Sequence, residues 1–152
     1  MALVGTAIGG AGAIVVGIPF VGFLMGPLLK HEPDVWRSVG AAASFQVGAT
    51  REVTFPNASP ELWAGVAGRS AAWLRRESED SFIAFSINCT HLGCPVRWLA
   101  EAELFMCPCH GGVYYKDGSV AAGPPSSALV RYPVRVRDGT VEVRTSPLPI
   151  VG

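Results

Sequence analysis

Net charge is the first thing this chain lacks. Lysine and arginine number 12, aspartate and glutamate number 12, and the two signs are dispersed. That balance leaves no basic footprint for nucleic acid. Charge is also missing locally: residues 2–29 carry none, and Thr6 is their only polar side chain. No basic residue precedes Lys30. The segment therefore lacks the basic n-region of a signal peptide, whose apolar core runs about 7–15 residues. No internal repeat is visible, which excludes a solenoid or array. Cysteine is absent outside residues 89–109, so all thiol chemistry is confined to one short stretch.

The uncharged run, 28 residues long, would reach roughly 42 Å as a helix, against about 30 Å of hydrocarbon. Gly5, Gly9, Gly10, Gly12, Gly17, Gly22 and Gly26, with Pro19 and Pro27, make it a poor helix in water. Lipid tolerates such residues, and small residues let helices approach closely. The expectation is an uncleaved transmembrane anchor over residues 1–29, packed against a partner helix at its four-residue glycine spacings. Residues 30–35 read as a flexible tether: Lys30-His31-Glu32-Pro33-Asp34 is polar and contains proline. His31 has no cysteine near it and reads as a surface residue.

From Trp36 onward the signals are short strands and turns. Arg51–Phe55 reads as a strand, and Ala72–Arg76 with Phe82–Ile87 as a hairpin around 77–81. Leu104–Met106 leads into, and Tyr114-Tyr115 out of, a cysteine-bearing loop, towards a turn at Lys116-Asp117-Gly118. Val134, Val136, Val141 and Val143 alternate with Arg135, Arg137, Glu142 and Arg144. Asp138-Gly139 is a favoured two-residue turn between them. That register sets Val136 opposite Val141 and Arg135 opposite Glu142, an opposite-charge pair on one face. Residues 61–69 alone hint at a short helix. The whole is a small antiparallel β-domain.

Two boxes carry the chemistry, Cys89-Thr90-His91-Leu92-Gly93-Cys94 and Cys107-Pro108-Cys109-His110-Gly111-Gly112. The pattern C-x-H, fifteen residues, C-x-x-H offers two thiolates and two imidazoles. Structural zinc instead favours pairs such as C-x₂₋₄-C. The ligand set is that of a Rieske [2Fe–2S] centre. Together with Cys94 and Cys109, the boxes resemble those of the Rieske subunit of quinol-oxidising cytochrome bc-type complexes, and the likeness runs from about Trp36 to Pro147.

The resemblance implies an all-β fold, with a cluster-binding subdomain (about 86–126) on a base β-sandwich, the domain spanning 36–152 after a single N-terminal helix. It implies that Cys89 and Cys107 bind one iron, that His91 and His110 bind the other, and that Cys94–Cys109 is a disulfide joining the two loops. His110, with His91 beside it, would take the quinol proton as the electron moves. Leu92 would cover the cluster, and Gly123-Pro124-Pro125 would close a third side. Tyr114 would donate to a ligand sulfur. Gly112 stands where many ubiquinol-type relatives have a serine that donates a second hydrogen bond, so a lowered potential suited to menaquinol is expected.

Two ferric ions, two sulfides, two thiolates and two neutral imidazoles sum to zero charge. Such a cluster accepts an electron at about −150 to +300 mV, against roughly −400 mV for plant-type ferredoxins. The resemblance thus implies a quinol–cytochrome c oxidoreductase subunit with a cytochrome b subunit, a c-type cytochrome and quinol as partners. It would be anchored in the bacterial cytoplasmic membrane by one span, with the head periplasmic. Lys30 after the span leans the other way by the positive-inside rule. A Rieske subunit of an arsenite-oxidase type enzyme and a ferredoxin-like carrier share the four ligands and are the alternatives.

Overall fold

The computed structural model describes residues 2–29, 34–57 and 65–146. Its contacts divide the chain into a segment ending at Pro33 and a unit starting at Asp34. The first contains one helix, α1 (Ala2–Leu29). Leu3–Gly26 within it, with a mean hydropathy of 2.1, is long and apolar enough to cross a membrane. The helix runs through Pro19, which removes one intrahelical donor and is tolerated best in lipid. Lys30, His31 and the tether up to Pro33 lie outside the described residues.

Among the described residues, the second unit contains eleven strands. They are β1 (Val35–Ala41), β2 (Thr50–Pro56), β3 (Arg69–Arg76), β4 (Phe82–Ser86), β5 (Arg97–Leu99), β6 (Leu104–Cys107), β7 (Gly112–Tyr115), β8 (Val120–Ala122), β9 (Arg131–Tyr132), β10 (Val134–Arg137) and β11 (Thr140–Ser146). They form three antiparallel sheets, ordered β1-β11-β10, β2-β3-β4-β9 and β5-β6-β7-β8. The strand and hairpin expectations hold. Val136 faces Val141 and Arg135 faces Glu142, and Asp138 and Gly139 both adopt positive φ, as the mirror-image turn between twisted strands requires. The helix hint at 61–69 fares worse. Residues 61–64 lie outside the described residues, Gly65–Gly68 form a single 3₁₀ turn, and Arg69 already pairs with Pro56 in the sheet. The pairing with β2 overrides a weak local preference. Val35 likewise opens β1, and Asp34 pairs with Arg144 at 3.2 Å.

Alternation decides how the sheets stack. Along β3, Ala72 and Leu74 turn one way and Trp73 the other; along β4, Ala84 and Phe85 divide likewise. Ala72, Leu74 and Ala84 join Val53, Phe55, Val141, Val143 and Phe45 in one core, which makes a sandwich of the first two sheets. Trp73 and Phe85 pack on the opposite side with Phe105, Val96, Tyr114, Cys89 and Cys107. The middle strands of the central sheet, β3 and β4, are thus covered on both faces, which suits the near-continuous apolar run at residues 82–87. Phe85 and Phe105 rings meet edge to face at 5.7 Å. The Trp73 indole donates to Val96 O at 3.2 Å, tying the central sheet to the stem of the first cysteine loop.

Buried Arg75 shares the Trp73 face. It donates to Gly48 O at 2.8 Å and Thr50 Oγ1 at 3.1 Å, pairs with Glu77, and lies 6.0 Å from the Trp98 ring. Its charge is therefore compensated while its carbon stem fills the junction.

Phe85 is the test of this two-sided arrangement. It is fully buried, and Gly118 passes so close that a Cβ there would lie 2.5 Å from the ring. Phe85→Ala should cost about 3–5 kcal/mol, read as a lowered thermal unfolding midpoint. A cost under about 1 kcal/mol would mean that the two layers do not depend on this contact.

Candidate metal centre

The two boxes fold into two versions of one turn. Loop 1 rises from β4 through an isolated bridge, Asn88 to Pro95, and is closed by Cys89 N–H to Cys94 O at 2.8 Å. Loop 2 joins β6 to β7, where Cys107 pairs with Gly112. In each, the amide four residues after the cysteine returns to that cysteine's carbonyl: Gly93 to Cys89 at 2.9 Å, Gly111 to Cys107 at 3.2 Å. Both glycines have positive φ, a conformation open to glycine at little cost. Each turn buries its first cysteine and lifts its histidine. Cys89 and Cys107 are free thiols, 4% and 2% exposed, while His110 is exposed and His91 half-buried.

The turns face one another. The His91 and His110 rings stand 5.0 Å apart, nearly perpendicular, and the Cys89 and Cys107 side chains lie within hydrogen-bond reach. The disulfide Cys94–Cys109 joins the loops. Cys94, Cys107 and Cys109 sulfurs lie within 4.8 Å of one another, but the disulfide pair has no thiolate to offer a metal. The available donors are therefore two buried thiols below two imidazoles, a soft set that suits an iron–sulfur centre.

The electrostatics of Cys89 favour a thiolate. Burial pushes its thiol up, but the Tyr114 hydroxyl, the His91 amide, the Cys107 side chain and the Leu92 amide together hold it below the usual thiol range. Tyr114 is raised by burial and by its bond to Cys89, which keeps it a protonated donor. Its oxygen lies 3.1 Å from Cys89 Sγ and 3.0 Å from Thr90 Oγ1, and receives the Thr90 amide at 3.0 Å. Thr90 Oγ1 in turn donates to Ser127 O at 2.7 Å. The single Tyr114 proton thus has two acceptors available, the Cys89 sulfur and the Thr90 oxygen.

Of the residues expected at the site, Leu92 is 70% exposed at the tip beside His91, and Pro124 is exposed. Gly123 packs on the Gly111–Gly112 backbone, and the Pro125 ring lies where a Cβ on Gly112 would be, which brings that loop onto loop 2. Thr90 and Ser127 were not foreseen. The only signal for Thr90 was a hydroxyl residue at the middle of C-x-H; Ser127 acts through its carbonyl, which no side-chain pattern reports.

A Rieske [2Fe-2S] domain family matches residues 36–133. The chain is 31% identical over 138 residues to the menaquinol:cytochrome c reductase iron-sulfur subunit of Geobacillus thermodenitrificans, covering 88% of this chain and 82% of that one. It is 33% identical over 145 residues to the subunit of the same name from Bacillus subtilis (strain 168), with the same coverages. Among solved structures, the cyanobacterial plasma membrane Rieske protein of Synechocystis PCC 6803 aligns with a TM-score of 0.52 and 24% identity, over 70% of this chain and 97% of that one. This last likeness is one of fold.

Tyr114→Phe removes the donor to Cys89 and the oxygen that accepts the Thr90 amide, and keeps the ring. A hydrogen bond worth about 1 kcal/mol more in the reduced state corresponds to roughly 45 mV for one electron. The potential of the metal centre should fall by about that amount, measured by redox titration, with the cluster retained. An unchanged potential would mean that the Tyr114 proton goes to Thr90.

Proposed function

Because the chain belongs to the Rieske [2Fe–2S] family and carries that family's cluster, we propose that it is the electron-transfer subunit of a membrane quinol–cytochrome c oxidoreductase. The observation that carries this reading is the pair of histidine rings 5.0 Å apart at the tip, above two buried free cysteines. Cys89 and Cys107 would hold one iron, His91 and His110 the other. When bound, the cluster supplies reversible one-electron transfer at a potential well above that of all-cysteine clusters.

The chain's own residues do the rest. A histidine that gives one ring nitrogen to iron keeps the other for a proton. His110, the more exposed of the two, would receive a quinol hydroxyl at that second nitrogen and take its proton as the electron leaves the quinol. His91, beside it, would share the docking surface. Exposed Leu92 offers an apolar contact at the rim of that surface and displaces water from it. Tyr114, with the backbone amides of His91 and Leu92, steadies negative charge at Cys89. Cys94–Cys109 keeps the two histidine-bearing tips in register, since closing a loop of this size stabilises by about 3 kcal/mol in the chain-entropy account.

Menaquinol is the favoured donor. The two relatives named above are menaquinol:cytochrome c reductase subunits, and Gly112 offers no side-chain donor to the site. Partners would be a cytochrome b subunit, where quinol is oxidised, and a c-type cytochrome as acceptor. Helix α1 would make a single span in the cytoplasmic membrane, with Lys30–Pro33 as the tether on which the head moves between partners, since Asp34 and Val35 already belong to the head. The head would be periplasmic, because a disulfide persists in oxidising compartments. That argument outweighs one lysine on the positive-inside rule.

Redox titration of the membrane-bound protein, followed by electron paramagnetic resonance at several pH values, tests the proposal. A Rieske-type signal should appear, with a potential that falls as pH rises. The sign follows from linkage: reduction favours the protonated imidazole, so removing protons disfavours reduction. A strongly negative potential, flat across neutral pH, would instead indicate a ferredoxin-like carrier.

A further inference from the structure

A notch opens where the central sheet loses a strand. β3 pairs with β2 from its first residue, Arg69 lying opposite Pro56. Its pairing with β4 begins only at Ala72, which faces Ser86. Beyond Ser86 the chain leaves the sheet at Ile87 and Asn88 to enter loop 1. Arg69–Ala71 are left beside a cavity of about 340 Å³, bordered on the β9 side by Tyr132. Ligand sites run from about 300 to 1,000 Å³, so a small molecule or one chemical group fits here. Ala71 and Ile87 give the notch an apolar wall, and the rest of its lining is polar. Among the described residues, no carboxylate lines it.

A single cation stands in the notch. Arg69 donates to Thr54 Oγ1 at 2.9 Å. Arg75, Arg135, Arg137 and Arg144 each have a carboxylate partner, and among the described residues Arg69 has none. A guanidinium has further N–H donors beyond one such bond, and these remain for a ligand. Thr54 Oγ1 is the acceptor in that bond, so its own proton is left to give. Ser70 differs, because it spends its proton on Asn57 Oδ1 at 2.5 Å. Burial raises the Tyr132 hydroxyl above the usual phenol range, against a hydrogen bond with Ser86 that lowers it, and a phenol that stays protonated can donate. Asn88, whose backbone N–H is held by Ser86 Oγ at 3.1 Å, adds a side-chain amide.

One cation with neutral donors and no acid suits an oxyanion. The donors come from β2, β3, β9 and the stem of loop 1, and so approach from several sides. A carboxylate offers two oxygens in one plane. A phosphate offers oxygens in several directions and can take a guanidinium two at a time. We propose that this notch binds a phosphate group, with Arg69 as the charged anchor and Thr54, Asn88 and Tyr132 as hydrogen-bond donors. The phosphate is that of a lipid headgroup or of a small solute. No residue assigned to the cluster takes part, so the site stands apart from the electron-transfer reading.

Calorimetric titration of the full-length holoprotein in neutral detergent tests this. The probes are inorganic phosphate, glycerophosphoglycerol (the soluble headgroup of an anionic phospholipid) and acetate. Phosphate should give a single saturable event, and acetate should bind about tenfold more weakly or not at all. Arg69→Gln should weaken phosphate binding by about tenfold or more, Arg69→Lys by less, and Tyr132→Phe several-fold. Arg97→Gln removes an exposed arginine from β5 and should leave binding unchanged. Tighter binding of the headgroup diester assigns the site to lipid, and tighter binding of inorganic phosphate assigns it to a solute. Should Arg69→Gln not fold, Thr54→Ala and Asn88→Ala, both at exposed positions, carry the test, each weakening binding several-fold. No saturable binding of either phosphate, acetate bound as tightly as phosphate, or equal weakening by Arg97→Gln and Arg69→Gln would overturn the proposal.

Discussion

The Tyr114 hydroxyl is the point at which the two halves of the site are joined by polar contact. It arrives on β7, the strand that leaves loop 2, and it bonds to Cys89 and Thr90 of loop 1. A buried phenol must find partners for its proton and its lone pairs, and loop 1 alone supplies them. The position of loop 1 relative to loop 2 is therefore a condition for burying this ring. Thr90 passes the constraint on by donating to Ser127 O, which fixes the segment just after Pro125. One oxygen, through short bonds, aligns the three loops that surround the free cysteines.

That alignment needs a platform, and the central sheet provides it through β3 and β4, which are covered on both faces. Its inner face closes the sandwich with β1, β10 and β11. Its outer face offers Trp73 and Phe85 to Phe105 and Val96. Loop 1 grows directly out of β4, so its stem inherits the rigidity of the most buried strand. Loop 2 lies on the separate four-stranded sheet β5-β6-β7-β8 and reaches the platform through Phe105, the residue two before Cys107. Each cysteine is thus within a few residues of an aromatic side chain that belongs to the shared core, which is why packing defects far from the tip would reach the donors.

Sequence patterns disclosed the parts of this scheme that depend on local rules. The last hairpin was legible down to its register because alternating valines and an Asp-Gly turn leave one solution. The two boxes were legible because donor type and spacing are chemical requirements. Sidedness was not: Phe82–Phe85 is apolar throughout, and nothing in it says that Ala84 faces one core and Phe85 the other. Of the short helix suggested for 61–69, the described residues keep a 3₁₀ turn at Gly65–Gly68, and pairing of Arg69 with Pro56 ends it there. Thr90, Ser127 and the match of Gly112 to Pro125 also escaped, since each depends on which backbone atoms lie nearby in space. A glycine in sequence announces only freedom; whether that freedom serves a turn, as at Gly93, or a close approach, as at Gly112, appears once the neighbour is in place.

The surroundings of Cys89 have a consequence for where charge settles. Donors converge on Cys89: burial alone would raise its thiol, and the hydroxyl and amides more than reverse that. A cluster held there, as proposed, would have added negative charge steadied from the Cys89 side. A donor side chain at position 112 would raise the potential, and the Pro125 ring occupies that volume, 2.8 Å from where a Cβ on Gly112 would lie. A donor quinol of low potential needs no stronger oxidant than a site without that donor, so the menaquinol proposal and the volume at position 112 bear on one another.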